Sequence, residues 1–193
     1  MHQIEPYFRW RDEYIASEDE KSPFFGQQYS ESAYSHRLYN FYLHPQWDAF
    51  GSTTLYGKIL HVDYDEGYTL IELIGEWNDT LHNDIHFLKR NITDHLYDQG
   101  IVKFVFFCDN VLNFHATFED DYYAEWAEEV TGEGGWILLV NTRQHFEEEL
   151  LTAGLQQYLH FGTAYNGLNW RTAKAQFTFA MLEELVDGRV KHL

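Results

Sequence analysis

The chain has 193 residues, 45% hydrophobic and 18% aromatic, and its 31 acidic against 13 basic residues leave a formal net charge of −18. That composition fills the core of one domain with extensions and excludes bulk disorder, and no run approaches the roughly 18 apolar residues of a membrane span. The charge sits mainly in the middle, where residues 55–161 hold 20 Asp and Glu against 5 Lys and Arg; such a surface repels phosphate backbones and anionic lipid, so neither nucleic acid nor membrane is an expected partner.

In chain order, residues 1–54 come first, with thirteen aromatics that include Trp10, Phe24, Phe25, Tyr39, Tyr42, Trp47 and Phe50. Periodicity is weak there, and Ser22-Pro23 and His44-Pro45 break regular structure. The segment is too aromatic for a flexible linker, so it is expected to lay its rings into grooves of the domain that follows; a binding surface is the alternative use. Met1-His2-Gln3-Ile4-Glu5 lacks a basic stretch followed by an apolar one, which points to a cytoplasmic protein. The single cysteine, Cys108, follows Phe104-Val105-Phe106-Phe107 and reads as a buried free thiol.

From Leu55 the pattern sharpens. Leu55–Val62 and Tyr68–Trp77 are rich in strand formers, and Asp63-Tyr64-Asp65-Glu66-Gly67 suits a tight hairpin between them. Asn78 or Asp79 then caps a helix whose stripe is Leu81, Ile85, Leu88, Ile92 and Leu96, with Gly100 at its end. Ile101–Cys108 reads as a central strand buried on both faces. An acidic helix follows from about Phe118 to Val130, then a turn at Gly132, Gly134 and Gly135, and a second central strand at Trp136–Val140. Thr142 is expected to cap a helix carrying Phe146, Leu150 and Leu151. Asn169-Trp170-Arg171 anchors the last connection, and Phe177, Phe179, Met181, Leu182 and Leu185 predict a short C-terminal helix. A helix between each pair of later strands makes those strands parallel, and the first hairpin adds an antiparallel edge: an α/β fold on one mixed sheet.

Two local patterns go further. Gly134-Gly135 precedes the strand Trp136–Val140 and Asn141, and a helix closes on Thr152-Ala153-Gly154-Leu155 before Tyr158-Leu159. With the element order, they make residues 55–161 resemble the STAS domains of bacterial anti-sigma-factor antagonists and sulfate transporters. The whole chain also resembles a family of bacterial proteins with the same aromatic lead-in, a likeness that implies no function. The resemblance implies a STAS-like domain with residues 1–54 as an extension and 162–193 as a tail, acting as a non-enzymatic regulatory or adaptor protein on a protein partner, with no cofactor. In the antagonists a Ser or Thr after the third strand, at the start of the next helix, is phosphorylated to break the partner interface. The matching stretch is Asn113–Asp121, in which Thr117 is the only hydroxyl and the usual Asp-Ser-Ser-Gly pattern is missing. The expected partner face is therefore Asn113, His115, Thr117, Asp120, Asp121 and Tyr122, with Tyr123 exposed beside them. Thr117 is either a phosphorylation site or a helix N-cap.

Other chemistries leave partial patterns. A small-molecule site or enzyme pocket between the N-terminal aromatics and the sheet would use Trp10, Trp47, His61 and His115. A homodimer through residues 1–54 is a third option. His82 and His86 share a helical face with Asp84 between them, but Asn83 stands where a peptidase motif needs Glu, and two histidines make no metal site. Asp63, Asp65 and Glu66 lack the ligand series of a calcium loop. There is no Gly-x-Ser-x-Gly elbow, and Gly132-Glu133-Gly134-Gly135 precedes a strand rather than the helix of a phosphate loop, so no catalytic residue is assigned.

Overall fold

The computed structural model describes residues 4–30, 32–117 and 121–190. A small hairpin, β1 (Arg37–Leu38) and β2 (Phe41–Tyr42), precedes a sheet of β3 (Leu55–Asp63), β4 (Tyr68–Asn78), β5 (Lys103–His115) and β6 (Trp136–Val140). The strands lie side by side in the order β3-β4-β5-β6. β3 and β4 are antiparallel, whereas β5 runs parallel to both β4 and β6. The mixed α/β architecture and the element order expected from Leu55 onward are those observed.

Turn chemistry accounts for the chain reversals. Asp63 Oδ1 accepts the backbone N–H groups of Asp65 and Glu66 at 3.1 and 3.0 Å, and Gly67 takes φ +68, which closes the β3–β4 hairpin. Gly135 enters β6 so close to the neighbouring backbone that an added Cβ would lie 2.0 Å from the Val102 carbonyl oxygen. In β4, Gly75 combines φ +123 with a backbone approach that would put a Cβ 2.1 Å from the Thr54 oxygen.

Side-chain alternation gives the sheet two buried faces. Phe104, Phe106, Cys108, Ile137 and Leu139 face helices on one side. Those helices are α1 (Asp79–His82), α2 (Asp84–Leu88), α3 (Asp94–Tyr97), α4 (Tyr122–Gly132) and α5 (Gln144–Thr152). Val105, Phe107, Leu138 and Val140 face the opposite way, onto Trp10 of the N-terminal segment, Trp170 of the C-terminal segment and α6 (Ala175–Val190). Trp170 stacks on Phe107 with ring centroids 3.8 Å apart, a contact worth about 1 kcal/mol beyond its burial. Cys108 is fully buried, and burial pushes its thiol pKa up, as suits an inert core residue.

Several expectations change. The predicted single helix after Asn78 is α1, α2, a π-helical turn at Lys89–Thr93 and α3, with Asn83 in the left-handed region at φ 52. Ile85, Leu88, Ile92 and Leu96 are buried as the stripe requires, but Leu81 lies before the break and is 76% exposed. β5 extends to His115, beyond the predicted end at Cys108, because β4 continues beside it with Asn78 paired to His115. β6 is the last strand rather than a central one; a short bridge to His160 covers its outer edge, with the His160 N–H donating to the Ile137 oxygen at 2.8 Å.

The helix boundaries change as well. Thr142 does not cap α5, whose N-cap is Arg143; the Thr142 hydroxyl donates instead to Glu147 Oε1 at 2.8 Å. Leu151 is exposed, so only Phe146 and Leu150 of the predicted trio are buried. The C-terminal helix has 16 residues rather than being short. It buries Thr178, Phe179, Leu182 and Val186 and leaves Phe177 and Met181 outside.

Replacing Gly75 with Ala is expected to destabilise the protein by about 2–4 kcal/mol, through backbone strain and the clash with Thr54. At the end of α4, where a Cβ on Gly132 meets nothing within 4 Å, Gly132→Ala should be neutral or stabilising by up to about 1 kcal/mol. Urea unfolding of the two variants measures the contrast.

Candidate functional site

The parallel strands β4 and β5 end together at Asn78 and His115, and the chain returns to this end through α1 and the start of α4. In open α/β sheets, ligands bind outside the carboxyl ends of the parallel strands. Here an open hollow of about 500 Å³ is lined by Asp79, Thr80, Asn83, Thr117, Asp121, Tyr122 and Glu125. Three of these carry carboxylates, and none of the described lining residues is basic.

Local structure explains how the hollow is held. Asn78 caps α1 by accepting the Leu81 N–H at 2.9 Å. Asp79 is buried and accepts from Trp77 Nε1 (2.9 Å), the Ile85 N–H (2.8 Å) and the Tyr123 hydroxyl (2.7 Å). It therefore ties β4, α2 and α4 together under the floor. The Thr80 hydroxyl donates to the Ala116 oxygen at 2.9 Å, joining α1 to the end of β5. Asp84, also buried, accepts the Asn78 N–H at 2.7 Å, and burial pushes its carboxyl above the usual range.

A buried lysine stands behind Glu125 of the lining. Lys89, on the π-helical turn, reaches Asp94 at 2.6 Å, Glu129 at 2.7 Å and Glu125 at 3.4 Å. Burial acts to lower its pKa, but the hydrogen bonds to Asp94 and Glu129 outweigh it and raise the ammonium above its ordinary value. Arg90 pairs with Asp94 and Glu125. These contacts clamp α4 against the helices after β4.

The sequence-predicted face divides. Thr117, Asp121 and Tyr122 line the hollow. Asn113 and His115 lie in β5, not in a loop, and converge on Glu76, at 3.5 Å from Asn113 Nδ2 and 3.5 Å from His115 Nε2. Asp120 lies outside the described residues. Tyr123 is 1% exposed, contrary to its expected exposure, because its hydroxyl is held by Asp79. Nor is Thr117 the N-cap of the helix: Asp121 occupies that position.

The alternative pocket residues do not converge. Trp10 lines a cavity of about 160 Å³ with Tyr14, Tyr29 and Lys58, and its indole N–H donates to the Ala173 oxygen at 2.9 Å. Trp47 is wholly buried elsewhere, donating to the Ile4 oxygen at 2.8 Å. His61 sits between the rings of Tyr14 and Tyr68, at 6.0 and 5.7 Å, where burial lowers its pKa. His115 is half exposed at the far end of β5. His82 and His86 are separated by the left-handed Asn83, so they do not share the face of one continuous helix.

No family model and no curated protein matches the chain. Among solved structures, one similar to it is described as a putative anti-sigma factor antagonist from Thermotoga maritima, with 17% identity and a TM-score of 0.39, covering 56% of this chain and 86% of that one. A second is the phosphorylated form of the Bacillus cell-fate determinant SpoIIAA, with 11% identity and a TM-score of 0.38, covering 55% of this chain and 91% of the other.

A second polar cluster, not expected from the sequence, lies on the opposite sheet face. Glu72 of β4 is 1% exposed and accepts from Arg171 Nη2 at 2.7 Å, the Tyr7 N–H at 2.8 Å and Asn110 Nδ2 at 3.3 Å. Arg171 also reaches Asp109 Oδ1 at 3.0 Å, and Trp170 Nε1 donates to Asp109 Oδ2 at 3.0 Å. Asn141, left-handed at φ 57, donates to Asp109 at 3.1 Å and to the Leu168 oxygen at 3.0 Å. The one signal in the sequence was a Glu inside the apolar run Leu70–Ile74, where an unpaired charge would be costly.

Burial leaves the Glu72 carboxyl above its usual range even with Arg171 beside it. A raised folded pKa favours folding below the unfolded value of 4.5, and that contribution is lost as pH rises through the folded value. Arg171→Met strands the carboxylate and raises the folded pKa further. It should cost about 3 kcal/mol at neutral pH and less in acid, as Glu72 takes up its proton. Thermal or urea unfolding of both proteins across pH measures this, and a penalty independent of pH would contradict it.

Proposed function

We propose that the protein is a non-enzymatic regulatory or adaptor protein that binds a protein partner through a STAS-like domain, at the hollow where β5 gives way to α4. The observation that carries this reading is the hollow itself. It is open, acidic and anchored from below by the fully engaged carboxylate of Asp79. Its acidity suits a basic surface or the positive end of a partner helix. Its breadth suits an interface better than an enclosed substrate site.

Thr117 is the proposed switch. A phosphate there would add negative charge among Asp79, Asp121 and Glu125, and like-charge repulsion would weaken the hold on a basic partner. Asp121 is exposed and precedes α4, so reversing its charge should change the face without disturbing the core.

The protein, tagged and purified from its native host, is expected to bring down a stoichiometric partner. Asp121→Lys should lose that partner by at least tenfold while leaving the circular dichroism spectrum unchanged. A bait that arrives alone, or a partner indifferent to Asp121→Lys, would refute the assigned face. Peptide mass spectrometry of the same preparation should find phosphate on Thr117 in part of the population. Failing that, Thr117→Glu should still weaken the partner; if it has no effect, the switch is wrong even if the adaptor reading stands.

A further inference from the structure

The β1–β2 hairpin leans over the upper part of the sheet and leaves a groove of about 350 Å³. Leu38, Phe41 and Leu43 form one wall, and Ile74 of β4 and Leu112 of β5 form the other. Phe41 is 51% and Leu112 38% exposed, so apolar surface remains accessible along the groove. The volume lies at the small end of the range for ligand sites.

The hairpin turn is unusual. Tyr39 has φ +53, a conformation that a bulky L-residue adopts only under constraint. The Tyr39 hydroxyl donates to Glu76 Oε2 at 2.5 Å. This contact joins the hairpin to β4, as do the burial of Leu38 and Leu43 against Ile74 and the Tyr56 hydroxyl, which donates to the Arg37 oxygen at 3.0 Å.

One cation stands at the rim. Arg143, exposed just before α5, lines the groove and forms no ion pair among the described residues. In a chain with 31 acidic and 13 basic residues, what sets Arg143 apart is its place: a guanidinium on the lining of an apolar groove, with no carboxylate partner among the described residues. A guanidinium binds one carboxylate through two parallel N–H···O bonds.

We propose that this groove binds an apolar monocarboxylate, a chain or ring acid whose hydrocarbon lies between the hairpin and the sheet and whose carboxylate rests on Arg143. The surrounding net charge makes the proposal sharply testable. At −18 the protein attracts cations non-specifically and repels anions, so selection of an anion requires a local cause. The proposal is independent of the partner face, because it uses none of the residues that line the Thr117 hollow.

The test is isothermal titration of the full chain with dodecanoate and with dodecyltrimethylammonium, both below their micelle concentrations. Dodecanoate should bind at one site per chain and the ammonium compound at least tenfold more weakly. Arg143→Gln should weaken dodecanoate about tenfold or more, and Arg143→Lys should restore part of the loss. Leu112→Asp, on an already exposed position, should weaken it as well. The proposal is overturned if dodecanoate gives no saturable binding, if the two amphiphiles bind alike, or if Arg143→Gln leaves the affinity unchanged. Asp121→Lys should leave dodecanoate binding intact while abolishing partner capture, which keeps the two readings separable.

Discussion

The ion pair of Glu72 with Arg171 is the constraint on which the arrangement of the terminal segments depends. A carboxylate in the middle of a central strand cannot be left alone, because burying an unpaired charge costs several kcal/mol. Arg171 brings the C-terminal segment to it and the Tyr7 N–H brings the N-terminal segment, at 2.7 and 2.8 Å. Trp10 and Trp170 then pack beside each other against Phe107, with ring centroids 5.5 Å apart. The polar contacts give the two distant segments one register on the sheet, and the aromatic burial that follows supplies most of the adhesion.

The opposite face is organised by a second buried charge. Lys89 lies on the π-helical turn that interrupts the helical path after β4, and its pairing with Asp94, Glu125 and Glu129 draws α4 inward. Such π-helical insertions often accompany functional positions, since they re-aim side chains that a regular helix would misplace. Here the insertion helps fix the wall of the hollow that opens at the carboxyl ends of β4 and β5. The two faces thus share one device, a buried charge satisfied in part by residues remote in sequence: Arg171 for Glu72 and Glu129 for Lys89.

Legibility in the sequence followed the range of the interaction. The strands of the sheet, the Asp63–Gly67 turn and the positions Ile85, Leu88, Ile92 and Leu96 were readable, because alternation, turn propensity and helical spacing act within a few residues. Leu81 was misread because the left-handed Asn83 lies between it and the rest of its stripe. The end of β5 was misread because its continuation depends on β4 beside it. Of the predicted face, Thr117, Asp121 and Tyr122 meet in one hollow, while Asn113 and His115 turn toward Glu76. Tyr123 looked exposed on an acidic helix, yet its hydroxyl finds a buried acceptor 44 positions away.

By itself, the sequence determined the α/β class, the strand and helix order from Leu55 onward and the acidic character of the middle of the chain. Those properties are sums of local terms: backbone propensity, side-chain period and formal charge. Only the tertiary structure decided that Glu72, Arg171 and Asp109 meet, that β5 runs on to His115, and that Arg143 stands beside an apolar groove under the hairpin. Each of these rests on contacts between residues far apart in the chain. Their energies come from desolvation and geometry, which no window of neighbouring residues contains.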